Sequence, residues 1–290
     1  MIISFPSLAT TIGYAYSDTL LLLNLFLNTP RFTVYGGFMR LIAVALGFIA
    51  VMLAGATVHA EKRLRFATEG GYPPFNYVQN GEAAGFDVDI GMALCRAMDA
   101  ECGVLVVEWG ALLDGLIDGK YDFVVASMAR TDERDTLVDF TTPYYRSRTN
   151  FIGNPAKLAN VSRKQLAGKT LAAQRDTVQA QYLEDNFGDA AHIKLFPTLK
   201  ESYAALANGS VDALLVDSLV AFEFLQSEHG QDFDYIGDPV DTADPSSEAR
   251  IVVRSGDREL LQDIETALNQ IRLDGTYERI NRAYFPFSIY

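Results

Sequence analysis

The sequence predicts an α/β fold of two lobes, each a mostly parallel sheet flanked by helices. Three observations predict it. Between residues 64 and 126, apolar strand-like runs alternate with helical stretches in a βαβαβ order, which favours parallel pairing. The same alternation restarts at residue 170 and runs to 217. A chain of 290 residues with 49% hydrophobic and 21% charged content can also bury more than one core.

The N-terminal part stands apart. From Leu41 to Ala60 there is no charged residue, Arg40 precedes the run, and Val58 and Ala60 sit at its exit. A basic start, an apolar middle and small exit residues predict a signal peptide over 39–60, cleaved after Ala60. Met39 directly precedes Arg40, so residues 1–38 read as an extension upstream of the true start.

After Glu61 the globular pattern begins. Residues 64–68 read as a strand, 69–74 (Glu-Gly-Gly-Tyr-Pro-Pro) as a turn, and 86–90 as the entry to a helix running to Met98. Residues 105–108 read as a strand, 111–117 as a helix and 121–126 as a strand. The second unit has a strand at 170–173, a helix over 178–186, a strand at 193–196, a helix over 199–208 closed by Gly209, and a strand at 212–216. A last strand at 251–253 leads to a helix over 259–273 with apolar residues at helical spacing. In such sheets ligands gather at the carboxyl ends of strands, where Glu69, Trp109, Ser127, Thr177 and Asp217 fall.

Composition narrows the function. A net charge of -13 disfavours nucleic acid and anionic membranes and attracts cationic small molecules. No Walker A pattern, His-Glu-x-x-His motif or Cys/His cluster is present, so neither cofactor nor metal is expected. Cys95 and Cys102 are spaced too widely for a redox CxxC pair, and in an exported protein they read as a small disulfide loop. The stretch Ala126–Arg134 is the chemical focus. A strand ending in small residues can offer N–H groups to a ligand, and Arg134 supplies a planar fork suited to a carboxylate. The plain alternative is a helix start capped by Thr131 or Asp132, with Arg134 in solvent.

Six motifs occur in order: Glu-Gly-Gly-Tyr-Pro-Pro-Phe (69–75), Gly-Phe-Asp-Val-Asp-Ile (85–90), the Cys95/Cys102 pair, Ser-Met-x-x-Thr-Asp-Glu-Arg (127–134), Val-Asp-Phe-Thr-Thr-Pro-Tyr-Tyr (138–145) and Asp-Gly-Thr-Tyr (274–277). Together they resemble the periplasmic solute-binding proteins of polar amino-acid ABC transporters, in particular the lysine/arginine/ornithine- and histidine-binding branch, over residues 62–290. The resemblance implies the type II periplasmic-binding-protein fold, with lobe 1 at 62–147 plus 242–290 and lobe 2 at 148–241. Hinge strands near Arg146–Thr149 and Gly237–Thr242 would join them. It implies a periplasmic monomer, not an enzyme, that closes on an amino acid and delivers it to an inner-membrane permease.

The resemblance also assigns roles. Arg134 would clamp the α-carboxylate, helped by backbone N–H groups near Ala129 and Thr177. Asp217 would receive the α-ammonium; the same aspartate could simply cap the following helix. Ser127 would line the site, and Tyr72 and Trp109 would sandwich the ligand side chain. Glu69 would pair with its distal cation. Ala126 and Ala129 stand where this branch carries serines, and Arg175 and Asp176 where it carries glycine and serine. These departures leave room for an opine-type derivative, and Glu69 with Asp176 for a dehydratase on the same fold.

Overall fold

The computed structural model describes residues 62–240 and 248–290. The expected signal peptide at 39–60, the extension at 1–38 and the end of the second hinge strand at 241–242 lie outside the described residues. No helix among the described residues is long and apolar enough to cross a membrane.

In chain order the strands are β1 (Lys62–Thr68), β2 (Gly71–Tyr72), β3 (Asn76–Gln79), β4 (Glu82–Ala84), β5 (Ala100–Val106), β6 (Phe123–Ala129), β7 (Val138–Arg146), β8 (Thr149–Gly153), β9 (Thr170–Gln174), β10 (His192–Phe196), β11 (Ala213–Asp217), β12 (Asp234–Val240) and β13 (Glu248–Arg254). The helices are α1 (Phe86–Ala97), α2 (Leu112–Ile117), α3 (Asp132–Asp135), α4 (Arg163–Leu166), α5 (Val178–Phe187), α6 (Leu199–Ala207), α7 (Ser218–Gln226), α8 (Arg258–Leu273) and α9 (Thr276–Tyr284). A 3-10 turn spans Trp109–Ala111.

Two five-stranded sheets result, ordered β5-β1-β6-β13-β7 and β10-β9-β11-β8-β12. In each, three strands pair in parallel and the fourth in the order runs antiparallel to both neighbours, so four of five strands point the same way. The predicted parallel character holds with one reversed strand per sheet, and those reversed strands, β13 and β8, are the ones that receive the chain from the other sheet. The first passage between the sheets is at Ser147–Arg148, between β7 and β8.

The strand expected at 105–108 lies earlier, at Ala100–Val106, paired in parallel with β1 from Lys62↔Ala100 to Thr68↔Val106. It is an edge strand whose polar Glu101 and partly exposed positions hide it from a hydrophobicity reading. Cys95 in α1 and Cys102 in β5 form a disulfide, as expected. The small antiparallel sheet β2-β3-β4 was not marked by apolar alternation, being three short strands with exposed residues.

Aromatic packing fixes the base of the first sheet. Phe75 stacks on Tyr145 with ring centroids 4.4 Å apart, and Phe86 meets Tyr144, Tyr145, Tyr277 and Phe285. Gly85, with φ +118°, is required here: a Cβ would lie 2.3 Å from the Phe75 carbonyl oxygen.

Candidate functional site

The carboxyl ends of both sheets face one cleft. Its lining includes Glu69, Tyr72, Trp109, Ser127, Ala129, Arg134, Thr177 and Asp217, so all eight residues singled out in the sequence converge. Ala126, Tyr145, Ser147, Gln174, Gln179 and Glu248 join them.

Arg134 sits in α3, capped by Thr131, whose hydroxyl accepts from the Arg134 N–H. The expected cap and the expected site residue are thus parts of one turn. The guanidinium is not in solvent: Nη1 donates to the Ala129 carbonyl at 2.7 Å and Nη2 to the Asp176 carbonyl at 2.8 Å. The Trp109 ring lies under it, 5.4 Å from centroid to Cζ. Burial lowers its pKa to about 10 against the charges of Glu133 and Asp176. Among the described residues no acidic side chain forms an ion pair with it, so its charge is held by carbonyls and a ring and is open to a carboxylate.

Ser127 differs from the expectation in detail. Its backbone is left-handed, φ +55°, its N–H donates to the Tyr144 hydroxyl at 2.9 Å, and its own hydroxyl donates to Asp87 at 2.8 Å. The N–H at this strand end is therefore already used, and anion binding at the corner rests on Arg134. Asp87, fully buried, also accepts from Asn76 at 2.7 Å and from the Tyr144 hydroxyl at 2.5 Å. Burial raises its pKa to about 6, and these hydrogen bonds hold it back from going higher. Its position in the Gly-Phe-Asp motif was visible in the sequence, but its role as the brace of Ser127 was not.

Asp217 ends β11, caps the following helix as the plainer reading expected, and also lines the cleft. Its Oδ1 accepts from the N–H groups of Leu219 (2.8 Å) and Val220 (3.3 Å), capping α7, and from the Ser147 hydroxyl (2.8 Å). All three donors meet one oxygen, which leaves Oδ2 for a further donor. Burial raises its pKa to about 6, opposed by those three hydrogen bonds. Thr177 caps α5: its hydroxyl accepts from Ala180 N–H at 3.2 Å and donates to the Gln174 carbonyl at 2.7 Å.

Glu69 follows β1 and reaches across the cleft, where its Oε1 accepts from Gln174 Nε2 at 2.6 Å. Burial raises its pKa to about 7; the Gln174 hydrogen bond lowers it and the Asp87 charge raises it further. Gln174 is the functional residue most clearly missed by sequence reading, although as the last residue of β9 it obeys the strand-end rule that marked Ser127 and Asp217. Tyr72 ends β2 and meets Phe75 at 6.2 Å between centroids. Trp109 donates its indole N–H to the Asp176 carbonyl at 3.0 Å. One carbonyl of the second sheet's side thus receives two donors from the first.

Chemically the cleft is a polar chamber with one guanidinium, three carboxylates (Glu69, Asp217 and Glu248) and three aromatic rings (Tyr72, Trp109 and Tyr145). The chain is 32% identical to an L-arginine-binding protein of Pseudomonas aeruginosa, covering 84% of this chain and 96% of that one. It is 28% identical to an octopine-binding periplasmic protein of Rhizobium meliloti, covering 77% and 83%. The structure of an ancestral arginine-binding protein bound to arginine superposes with a TM-score of 0.72 at 29% identity, covering 78% of this chain and all of that one. The model of one protein family matches residues 64–287, and the chain belongs to that family, the bacterial extracellular solute-binding proteins, family 3.

Proposed function

We propose that this protein is the periplasmic binding component of an amino-acid ABC transporter and that its ligand is a basic amino acid, arginine first. The observation that carries the reading is the charge of the cleft: Arg134 is the one cationic side chain of its lining among the described residues, against the carboxylates of Glu69 and Asp217, while the third acid of the lining, Glu248, is already paired with Arg146 and Arg250. Such a chamber suits one carboxylate and two cationic groups. Arg134 takes the α-carboxylate, with the free N–H groups at the start of α5 beside Thr177, and Asp217 Oδ2 takes the α-ammonium. Tyr72 and Trp109 flank the alkyl chain. Glu69 takes the distal cation, and Gln174 adds an acceptor: its Nε2 is committed to Glu69, so its Oε1 can receive a second N–H. A planar guanidinium with five donors fits two neighbouring acceptors better than an ammonium does.

In this reading the two sheets belong to lobes 62–147 plus 242–290 and 148–241, which close on the ligand about the Ser147–Arg148 crossing. Differential affinity for the closed form makes closure the signal to an inner-membrane permease. The protein acts as a monomer in the periplasm after removal of residues up to Ala60, and it binds without reacting. An opine is supported by the octopine-binding relative and by Ala126 and Ala129, which give a roomier floor. Its second carboxylate, however, would meet the acids Glu69 and Asp217, unpaired among the described residues, with one guanidinium to share. A carboxyl with a pKa near 7 could serve as a general acid, which is what favours a dehydratase; a bound cation would drive off that proton and leave Glu69 a counter-ion. Calorimetric titration of protein refolded free of ligand, with arginine, lysine, ornithine, histidine, glutamine and octopine, tests the proposal. Arginine is expected to bind most tightly. Octopine binding more tightly than arginine, or no binding by any of the six, would overturn it.

A further inference from the structure

A second concavity lies away from the amino-acid cleft. It is a groove of about 900 Å³, within the size range of small-molecule sites. One wall is α7, the other is the C-terminal segment Phe285–Ile289, and the floor is the crossing from Ser147 to Asn150. The C-terminal wall is fixed to the first sheet: Arg146 N–H donates to the Ile289 carbonyl at 2.7 Å and Asn281 Nδ2 to the Phe287 carbonyl at 2.7 Å. Facing it, α7 follows β11 of the second sheet. The groove therefore straddles the passage between the sheets.

Its chemistry is uneven. Phe222 and Phe287, one on each wall, are 57% and 55% exposed, a cost that a solvated surface does not explain when both rings line one groove. On the floor, the Arg148 guanidinium has no hydrogen bond or ion pair among the described residues, although its carbonyl accepts from Ser218. Arg146, by contrast, is neutralised by Glu248. Asn150 is 6% exposed, its Oδ1 accepts from Ser218 Oγ, and its Nδ2, on the lining of the groove, has no hydrogen-bond partner among the described residues. Two donors without protein partners, both on the lining of the groove, thus stand beside an apolar trough. Glu223 is the one acid of this lining, with its carboxyl raised by burial.

We infer that this groove is a second ligand site, which takes an amphipathic monocarboxylate with its head on Arg148 and Asn150 and its apolar body between Phe222 and Phe287. Ser147 belongs to both linings and donates to Asp217, so the occupant sits one hydrogen bond away from the amino-acid cleft. Because the walls belong to opposite sides of the passage, filling the groove fixes their spacing.

Decanoate below its micelle concentration is the probe, with decanol as the uncharged control and calorimetry as the readout. Wild type is expected to bind decanoate, and Arg148→Ala to weaken it at least about tenfold, the worth of a charge-assisted hydrogen bond, while leaving decanol unchanged. Phe222→Ser should weaken both, and Glu223→Gln should tighten decanoate by removing the one repulsive charge. Each of these side chains is exposed, and unchanged melting temperatures would show the variants folded. Absence of decanoate binding, equal binding by wild type and Arg148→Ala, or displacement of decanoate by L-arginine would each overturn the inference, the last by placing the probe in the cleft.

Discussion

The two sheets share one strand order, yet they furnish the cleft by different means. The first sends in long charged and aromatic side chains from the short segments beyond its strands: Glu69 after β1, Trp109 from the 3-10 turn after β5, Arg134 from the one-turn helix α3 after β6. The second contributes caps and backbone: Thr177 and Asp217 at helix starts, and the Asp176 carbonyl that receives Trp109 and Arg134. A long side chain that reaches into the cleft reads chemistry, whereas a cap or a backbone carbonyl fixes position. The first sheet should therefore decide which ligand binds, and the second how well the cleft closes on it. Asp217 tests the division because it is a charge and a cap at once.

The sharpest break is expected at Arg134. Arg134→Ala removes the one cation of the cleft and should lower affinity for every α-amino acid at least about a hundredfold, since a buried carboxylate without its partner costs about 3 kcal/mol or more. Calorimetry of arginine and glutamine against this variant is the check. Affinities equal to wild type would dissolve the proposed site.

Next comes Asp217→Asn. Asparagine caps helices as well as aspartate, so α7 and the melting temperature should be kept. Only the charge for the α-ammonium is lost, and affinity should fall about tenfold or more for basic and neutral amino acids alike. A drop in melting temperature with unchanged affinity would make Asp217 a cap alone.

Glu69→Gln should discriminate where the other two do not. Arginine is expected to lose about tenfold or more, as a charge-assisted pair becomes a neutral one, and glutamine almost nothing. The same residue gives a pH signature. Its folded pKa of about 7 stands above the ordinary 4.5, as those of Asp87 and Asp217, at about 6, stand above 3.8. Above the ordinary values the ligand-free fold holds protons at these three carboxyls that the unfolded chain has released, so their contribution to stability is greatest in acid and is lost as pH rises to about 7. A cationic ligand prefers the ionised carboxylates, so arginine affinity should rise from pH 5 to pH 8 in the same titrations, by about tenfold per unit where one proton is released. Glu69→Gln should remove the part of that rise near pH 7. A flat profile in wild type would mean that the cation is read elsewhere.

Much of this was legible in the sequence because it follows strand ends. Glu69, Ser127, Thr177 and Asp217 are strand-end residues, and the alternation of strands and helices put them on one side. What was hidden is pairing. Gln174 carries only the mark of its strand end; its meaning comes from Glu69, 105 residues away in sequence. Asp87 lay inside a recognised motif, but only the packed core brings Asn76, Ser127 and Tyr144 onto its carboxylate. The reversed strands β13 and β8 were hidden for the same reason, since the direction of a strand depends on where the chain crosses between sheets and not on its own residues.

The smallest expected effect belongs wholly to the second sheet and therefore bears most directly on the division of labour. Thr177 has no charge and touches the cleft mainly by ordering the start of α5, accepting from Ala180 and donating to the Gln174 carbonyl. Thr177→Ala should cost about 1 kcal/mol of stability through the lost cap, measured by urea denaturation of the ligand-free protein. Arginine and glutamine should weaken by the same modest factor, because a looser helix start holds any α-carboxylate less well. Thr177→Ser, which keeps the oxygen, should restore both. If the alanine variant instead changed the ratio of arginine to glutamine affinity, the second sheet would be reading the ligand side chain, and Gln174, joined to Thr177 through its own carbonyl, would be the route by which it does so.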